Sequence, residues 1–90
     1  MKQTISIIVS GKVQGVFYRQ STKEKALELG ITGYVKNLPD GSVYVIATGT
    51  DEQLAALKTW CKKGPPRAIV DTIITEELPL HKFIEFIIER

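Results

Sequence analysis

One cysteine, one histidine, one methionine and one tryptophan stand among ninety residues, and each scarcity removes a class of chemistry. A lone Cys61 excludes an internal disulfide framework, and a lone His81 excludes any metal site built on a histidine pair. Any nucleophile–histidine triad would have to use His81, which lies in a polar loop beside Leu80 and Lys82 and reads as an exposed loop residue. No apolar run is long enough for a signal peptide or a membrane span, because the first one is interrupted at Ser6. The expected compartment is therefore the cytoplasm, with no membrane partner. Charge of one sign is also lacking: twelve Lys and Arg against ten Asp and Glu give +2, too small and too scattered a surplus to indicate nucleic acid. What remains is the balance of a globular chain, 43% hydrophobic and 24% charged, with length for a single domain over residues 1–90.

Turn signals punctuate the chain at short intervals. Ile5, Ile7 and Val9 recur at period two and predict a first strand. The glycine-bounded loop Gly11-Lys12-Val13-Gln14-Gly15-Val16 follows. From about Phe17 to Leu29 the composition turns helical, with Tyr18, Thr22, Ala26 and Leu29 on one stripe and Gly30 placed for a left-handed cap. Ile31 to Asn37 and Ser42 to Thr48 read as strands of a hairpin joined by Leu38-Pro39-Asp40-Gly41. There proline presets the first corner of a type I turn and Gly41 takes the left-handed position. Thr50-Asp51-Glu52-Gln53 is a capping box opening a second helix, with Leu54, Leu57 and Cys61 at helical spacing and Gly64-Pro65-Pro66 ending it. Cys61 on that apolar stripe reads as a packing thiol, and Trp60 as a helix-edge packing residue. Ile69 to Thr75 and Phe83 to Ile88 complete the strands. The order β-α-β-β-α-β, with a possible extension at the end, predicts an α+β ferredoxin-like sandwich. Right-handed crossovers would place both helices on one face of an antiparallel sheet.

The segment from Ser10 to Lys23 differs from the rest. It carries Lys12, Arg19 and Lys23, and no acid precedes Glu24. A glycine-bounded loop running from a strand into a helix N-terminus exposes successive N–H groups, and the helix dipole adds partial positive charge. Arg19 in the first turn supplies a planar fork for bidentate contact with a phosphate. Such loops also occur without ligands, so on these residues alone an anion cradle and an ordinary connection both stand. Asn37 likewise has two readings. It is an ordinary residue before a Pro-Asp-Gly turn, or a carboxamide brought beside the glycine loop to hold a water in line with a bound phosphorus.

These residues resemble the acylphosphatase family. Gly11-Lys12-Val13-Gln14-Gly15-Val16-Phe17-Tyr18-Arg19 fits the family's G-x-V-Q-G-V-x-[FY]-R pattern at every fixed position. Gly33-Tyr34-Val35-Lys36-Asn37 continues through Gly41 and Val43 to Gly49 with the family's spacing. The resemblance implies hydrolysis of a carboxyl–phosphate mixed anhydride to carboxylate and inorganic phosphate. Carried over by position, the main chain of Val13, Gln14, Gly15, Val16, Phe17 and Tyr18, with Arg19, would hold the phosphate, and Asn37 would orient the attacking water. The substrate phosphate itself would accept the proton, with no metal and no cofactor. A monomer acting on a small acyl phosphate is expected, with inorganic phosphate or sulfate as site ligand. Phe17 occupies the motif's variable place, where some relatives carry glycine, and bears on rim shape and substrate preference. The chain ends soon after Phe86-Ile87-Ile88, so no C-terminal extension is expected to close the site. Two other readings share the fold. A phosphate- or nucleotide-binding module would have no need for an oriented water. An RNA-recognition domain would carry aromatic stacking residues in a basic run, whereas the strands here offer only Tyr34 and Tyr44.

Overall fold

A computed structural model describes residues 1–89. Seven elements follow one another: β1 (Lys2–Lys12), α1 (Tyr18–Leu29), β2 (Thr32–Asn37), β3 (Val43–Thr50), α2 (Asp51–Lys63), β4 (Ile69–Leu78) and β5 (Phe86–Ile88). The strands form one sheet in the order β4-β1-β3-β2-β5. Period-two alternation decides its two faces. Ile5, Ile7 and Val9 of β1, Val35 of β2, and Val43, Val45 and Ala47 of β3 are buried in one cluster with Tyr18 and Ala26 of α1 and Leu54, Leu57 and Cys61 of α2. Both helices therefore cover the same face, as the hydrophobic pattern predicts. The fold is the expected ferredoxin-like α+β sandwich.

Local signals explain why the helices start and stop where they do. Thr50 Oγ1 accepts from the Gln53 amide at 3.2 Å, while Gln53 Oε1 accepts from the Thr50 amide at 2.8 Å, completing the capping box of α2. Gly30 closes α1 in the left-handed region, donating back to Ala26 and Leu27 carbonyls. α1 begins one residue later than the composition suggests, because Phe17 is itself left-handed and stands outside the helix as its N-cap.

The sheet departs from the expected purely antiparallel form in one strand. The β1–β3, β1–β4 and β2–β3 pairs are antiparallel, but β5 runs parallel to β2, with Phe86 opposite Gly33 and Ile88 opposite Val35. A strand that must reach the free edge of β2 from β4, at the far edge, crosses the end of the sheet and returns in the direction of β2. β5 is also shorter than the apolar run Phe83–Ile88. Phe86 is buried in the core, whereas Phe83 turns onto the helix-free face and packs edge-on against Tyr34 at 6.0 Å. Tyr34 in turn meets Tyr44 at 6.2 Å, with the Lys36 ammonium over both rings. These rings pack on one another instead of standing free to stack bases.

The crossing segment also satisfies polar groups buried at that end of the sheet. Thr4 and Thr48 lie with their hydroxyls 2.6 Å apart; the Thr48 hydroxyl donates to the His81 carbonyl at 2.7 Å, and the His81 amide donates to Thr4 Oγ1 at 2.8 Å. The His81 side chain is exposed, as its loop position predicts, and its ring stacks on Phe83 at 4.3 Å. Its main chain does the structural part.

Candidate active site

Strand direction decides what meets at one end of the sheet. β1 and β2 are both antiparallel to β3, so they run the same way, and β5 follows β2. The C-terminal ends of all three strands therefore converge. There they surround a cavity of about 320 Å³ lined by Val13, Gly15, Phe17, Tyr18, Arg19 and Gln20 from the loop and first turn of α1, Asn37 from the end of β2, and Ile88 from β5. Ile88 reaches the cavity because β5 runs parallel to β2, a contribution of the last strand that the sequence pattern did not indicate.

The loop between β1 and α1 is pinned and curled by its own sequence. Val13 and Val16 are buried in the core at 1% and 5% exposure. Between and after them, Gly15 and Phe17 take left-handed conformations, with φ of 73° and 63°. Glycine does so freely, whereas an aromatic residue does so against steric cost. Among the described residues, the amides of 14–20 donate to no protein acceptor; the first helical bond runs from the Ser21 amide to the Phe17 carbonyl at 3.0 Å. A run of free N–H groups at a helix N-terminus is a concentration of partial positive charge without any charged side chain.

Arg19 lies half-buried in the first turn of α1, on the cavity wall, and no carboxylate among the described residues pairs with it. Its full charge and five donors are thus available to a ligand. Asn37 also lines the cavity, and its Oδ1 is buried and meets no donor among the described residues. A buried acceptor left in that state costs about 1–3 kcal/mol unless a donor reaches it through the cavity. Of the residues singled out from the sequence, Val13, Gly15, Phe17, Tyr18, Arg19 and Asn37 line this one cavity, whereas Gln14 and Val16 do not.

One feature of this arrangement escaped the sequence. The Gln14 side chain, considered there only for its amide, reaches the β2–β3 turn, where its Nε2 donates to the Leu38 and Ser42 carbonyls, both at 2.9 Å. The turn itself is closed by the Gly41 amide on the Leu38 carbonyl at 3.1 Å and by Ser42, whose amide and hydroxyl both donate to Asp40 Oδ1. Gln14 thereby ties the glycine loop to the hairpin that carries Asn37. A glutamine after valine in a loop gives no local sign of such a bond. The donations from the Ser42 hydroxyl and amide hold the Asp40 carboxyl below its ordinary value.

Tyr18 divides its functions between main chain and side chain. Its amide belongs to the loop face, while its ring is buried against Trp60 at 5.5 Å and its hydroxyl donates to the Cys61 carbonyl at 2.7 Å. Burial pushes the Tyr18 phenol far up, with Cys61 beside it adding to the effect. Burial also pushes the Cys61 thiol up to about 12. Cys61 is accordingly a neutral packing group, and not a nucleophile at ordinary pH. His81 lies at the other end of the sheet: its partner Thr4 is eight residues from Lys12 along β1, roughly 26 Å at ~3.3 Å per residue. Neither residue takes part in the cavity.

With this geometry in place, comparison with known proteins is decisive. The acylphosphatase family model matches residues 5–88. The chain belongs to the acylphosphatase family. It is 56% identical over 81 residues to an acylphosphatase of Marinobacter nauticus, covering 89% of this chain and 88% of that protein. Among solved structures, an acylphosphatase from Coxiella burnetii superposes with a TM-score of 0.95 at 41% identity, covering 98% of this chain and 93% of that one. An acylphosphatase from Bacillus subtilis gives 0.95 at 33% identity, over 100% of both chains. Family membership accounts for the two spaced motifs and for the convergence of their residues on one cavity.

Proposed function

We propose that this chain hydrolyses acyl phosphates to a carboxylate and inorganic phosphate. The loop amides from Val13 through Tyr18 and the Arg19 fork hold the phosphoryl oxygens, and Asn37 holds the attacking water. The observation that carries this reading is that Asn37, whose buried Oδ1 has no partner among the described residues, lines the same cavity as Arg19 and the glycine loop. A water O–H donated to Oδ1 leaves the oxygen lone pair directed at phosphorus. Attack forms the new P–O bond in line with the breaking bond to the acyl oxygen. The carboxylate departs with that bond's electrons, and the water proton passes to a phosphate oxygen. The leaving group is the anion of an acid of pKa ~4, so no strong general acid is required. Positioning and charge stabilisation supply the catalysis.

The reaction in this reading needs no metal. A group of three His, Cys, Asp or Glu side chains able to hold one is not found among the described residues. We further read residues 1–90 as one domain acting as a cytoplasmic monomer. No helix among the described residues is long and apolar enough to cross a membrane.

The test is phosphate release from acetyl and benzoyl phosphate, with a chelator present, by the parent and by Asn37→Ala. The parent turns both over. Asn37→Ala folds, binds inorganic phosphate within a few-fold of the parent, and loses at least ~100-fold in kcat, about 2.7 kcal/mol of barrier. Full turnover by Asn37→Ala with a lowered melting temperature would make Asn37 a turn residue only. Phosphate binding without turnover by the parent would make the protein a binding module.

A further inference from the structure

Phe17 combines three features that the fold does not require of it. It is the one non-glycine residue with positive φ among the described residues, at 63°. Its side chain is 73% exposed, so burial does not offset the strained backbone. And it stands on the wall of the cavity that holds Arg19 and Asn37, where Ile88 supplies a second apolar surface. A glycine would give the same loop curvature without strain or an exposed ring. The benefit of the aromatic side chain must therefore lie in what enters the cavity.

In-line geometry says which part of the substrate that is. Water and departing oxygen lie on opposite sides of phosphorus. Asn37 Oδ1 is buried and Phe17 is exposed, so a water held at the inner carboxamide directs the acyl oxygen outward, to the rim. We infer that Phe17 and Ile88 form an apolar lip that binds the acyl group and selects acyl phosphates with aromatic or bulky apolar acyl portions over small ones. This rests on the hydrolase reading above and adds to it a substrate preference carried by two named side chains. An aromatic acyl ring meets the Phe17 face or edge, and Ile88 closes the other side. Their contact is made with the bound substrate and the transition state alike, so its loss falls on KM more than on kcat.

The experiment compares kcat/KM for benzoyl and acetyl phosphate in the parent, Phe17→Gly, Phe17→Leu and Ile88→Ala, each as a ratio on one preparation. Phe17→Gly keeps the left-handed backbone while removing the ring. Its benzoyl-to-acetyl ratio falls roughly three- to tenfold, the scale of one aromatic contact. The ratio falls less in Phe17→Leu, which retains apolar surface, and falls also in Ile88→Ala. A ratio unchanged within twofold in active Phe17→Gly and Ile88→Ala would overturn the lip while leaving the hydrolase reading intact. A parent inactive on both compounds would overturn both.

Discussion

Among the described residues, Gln14 makes the side-chain hydrogen bonds between the two halves of the site, and replacing it with leucine removes them while keeping its backbone amide and approximate volume. The structure sets the scale. Two donations are lost, to the Leu38 and Ser42 carbonyls at 2.9 Å. Neither carbonyl becomes an orphan, because Leu38 O still accepts from the Gly41 amide and Ser42 O from the Leu38 amide. Each loss is then an ordinary net hydrogen bond of ~0.5–1.5 kcal/mol, together about 1–3 kcal/mol. In a domain of this size each kcal/mol lowers the melting temperature by roughly 4–8 °C. Catalysis should suffer separately. Asn37 immediately precedes Leu38, so releasing that carbonyl lets the carboxamide drift relative to the amides proposed to hold phosphate. A misplacement of ~1 Å costs on the order of 100-fold in rate. Gln14→Leu should therefore lose roughly 10–100-fold in kcat, while phosphate affinity, which depends on the loop and Arg19, stays within about threefold. Gln14→Glu should be less stable still, since a carboxylate cannot donate and faces two carbonyl oxygens. The assay is kcat, phosphate affinity and melting temperature on one preparation, with kinetics run well below the transition. An undiminished kcat beside a lowered melting temperature would reduce Gln14 to a structural tie. An unchanged melting temperature would show that the two bonds add nothing.

Arg19→Gln should weaken phosphate binding and lower kcat together by about 10–100-fold, the scale of a lost charged hydrogen bond of ~1.5–3 kcal/mol. Arg19→Lys should recover little of this, and near-parental kinetics for it would mean that only net charge matters. Stability should also fall at alkaline pH. Folding holds the Cys61 thiol at about 12 against 9.0 and raises the Tyr18 phenol above 10.0, so above pH ~9 the folded state binds more protons than the unfolded one. The contribution of Cys61 is full below pH 9 and is lost as pH rises toward 12. In thermal melts the parent should lose stability more steeply than Cys61→Ala above pH 9, and parallel slopes would refute the assignment.

The parts of the fold legible from sequence are those whose cause is local. Ile5, Ile7 and Val9 announce a strand face because side chains alternate, and Thr50 with Gln53 announces a helix start because the cap is a bond between neighbours. The glycine loop was legible for a related reason: an amide cradle is made by contiguous main chain, so its residues must be contiguous in sequence. What escaped is what the far end of the chain contributes. β5 pairs parallel with β2 only because the segment around His81 crosses the sheet end, and no residue between Phe83 and Ile88 encodes that direction by itself. The Gln14 bonds span 24 and 28 residues, a separation at which local pattern carries no information. Phe17 escaped because propensity points the other way: an aromatic residue is a poor forecast of positive φ. That conflict between propensity and conformation falls on the cavity wall, beside Arg19 and Asn37. Local rules are broken where a bound molecule can offset the cost. In the proposed reaction the strain at Phe17 and the Asn37 oxygen, which has no partner among the described residues, would have one cause: each is a local deficit that the substrate or its attacking water would make good.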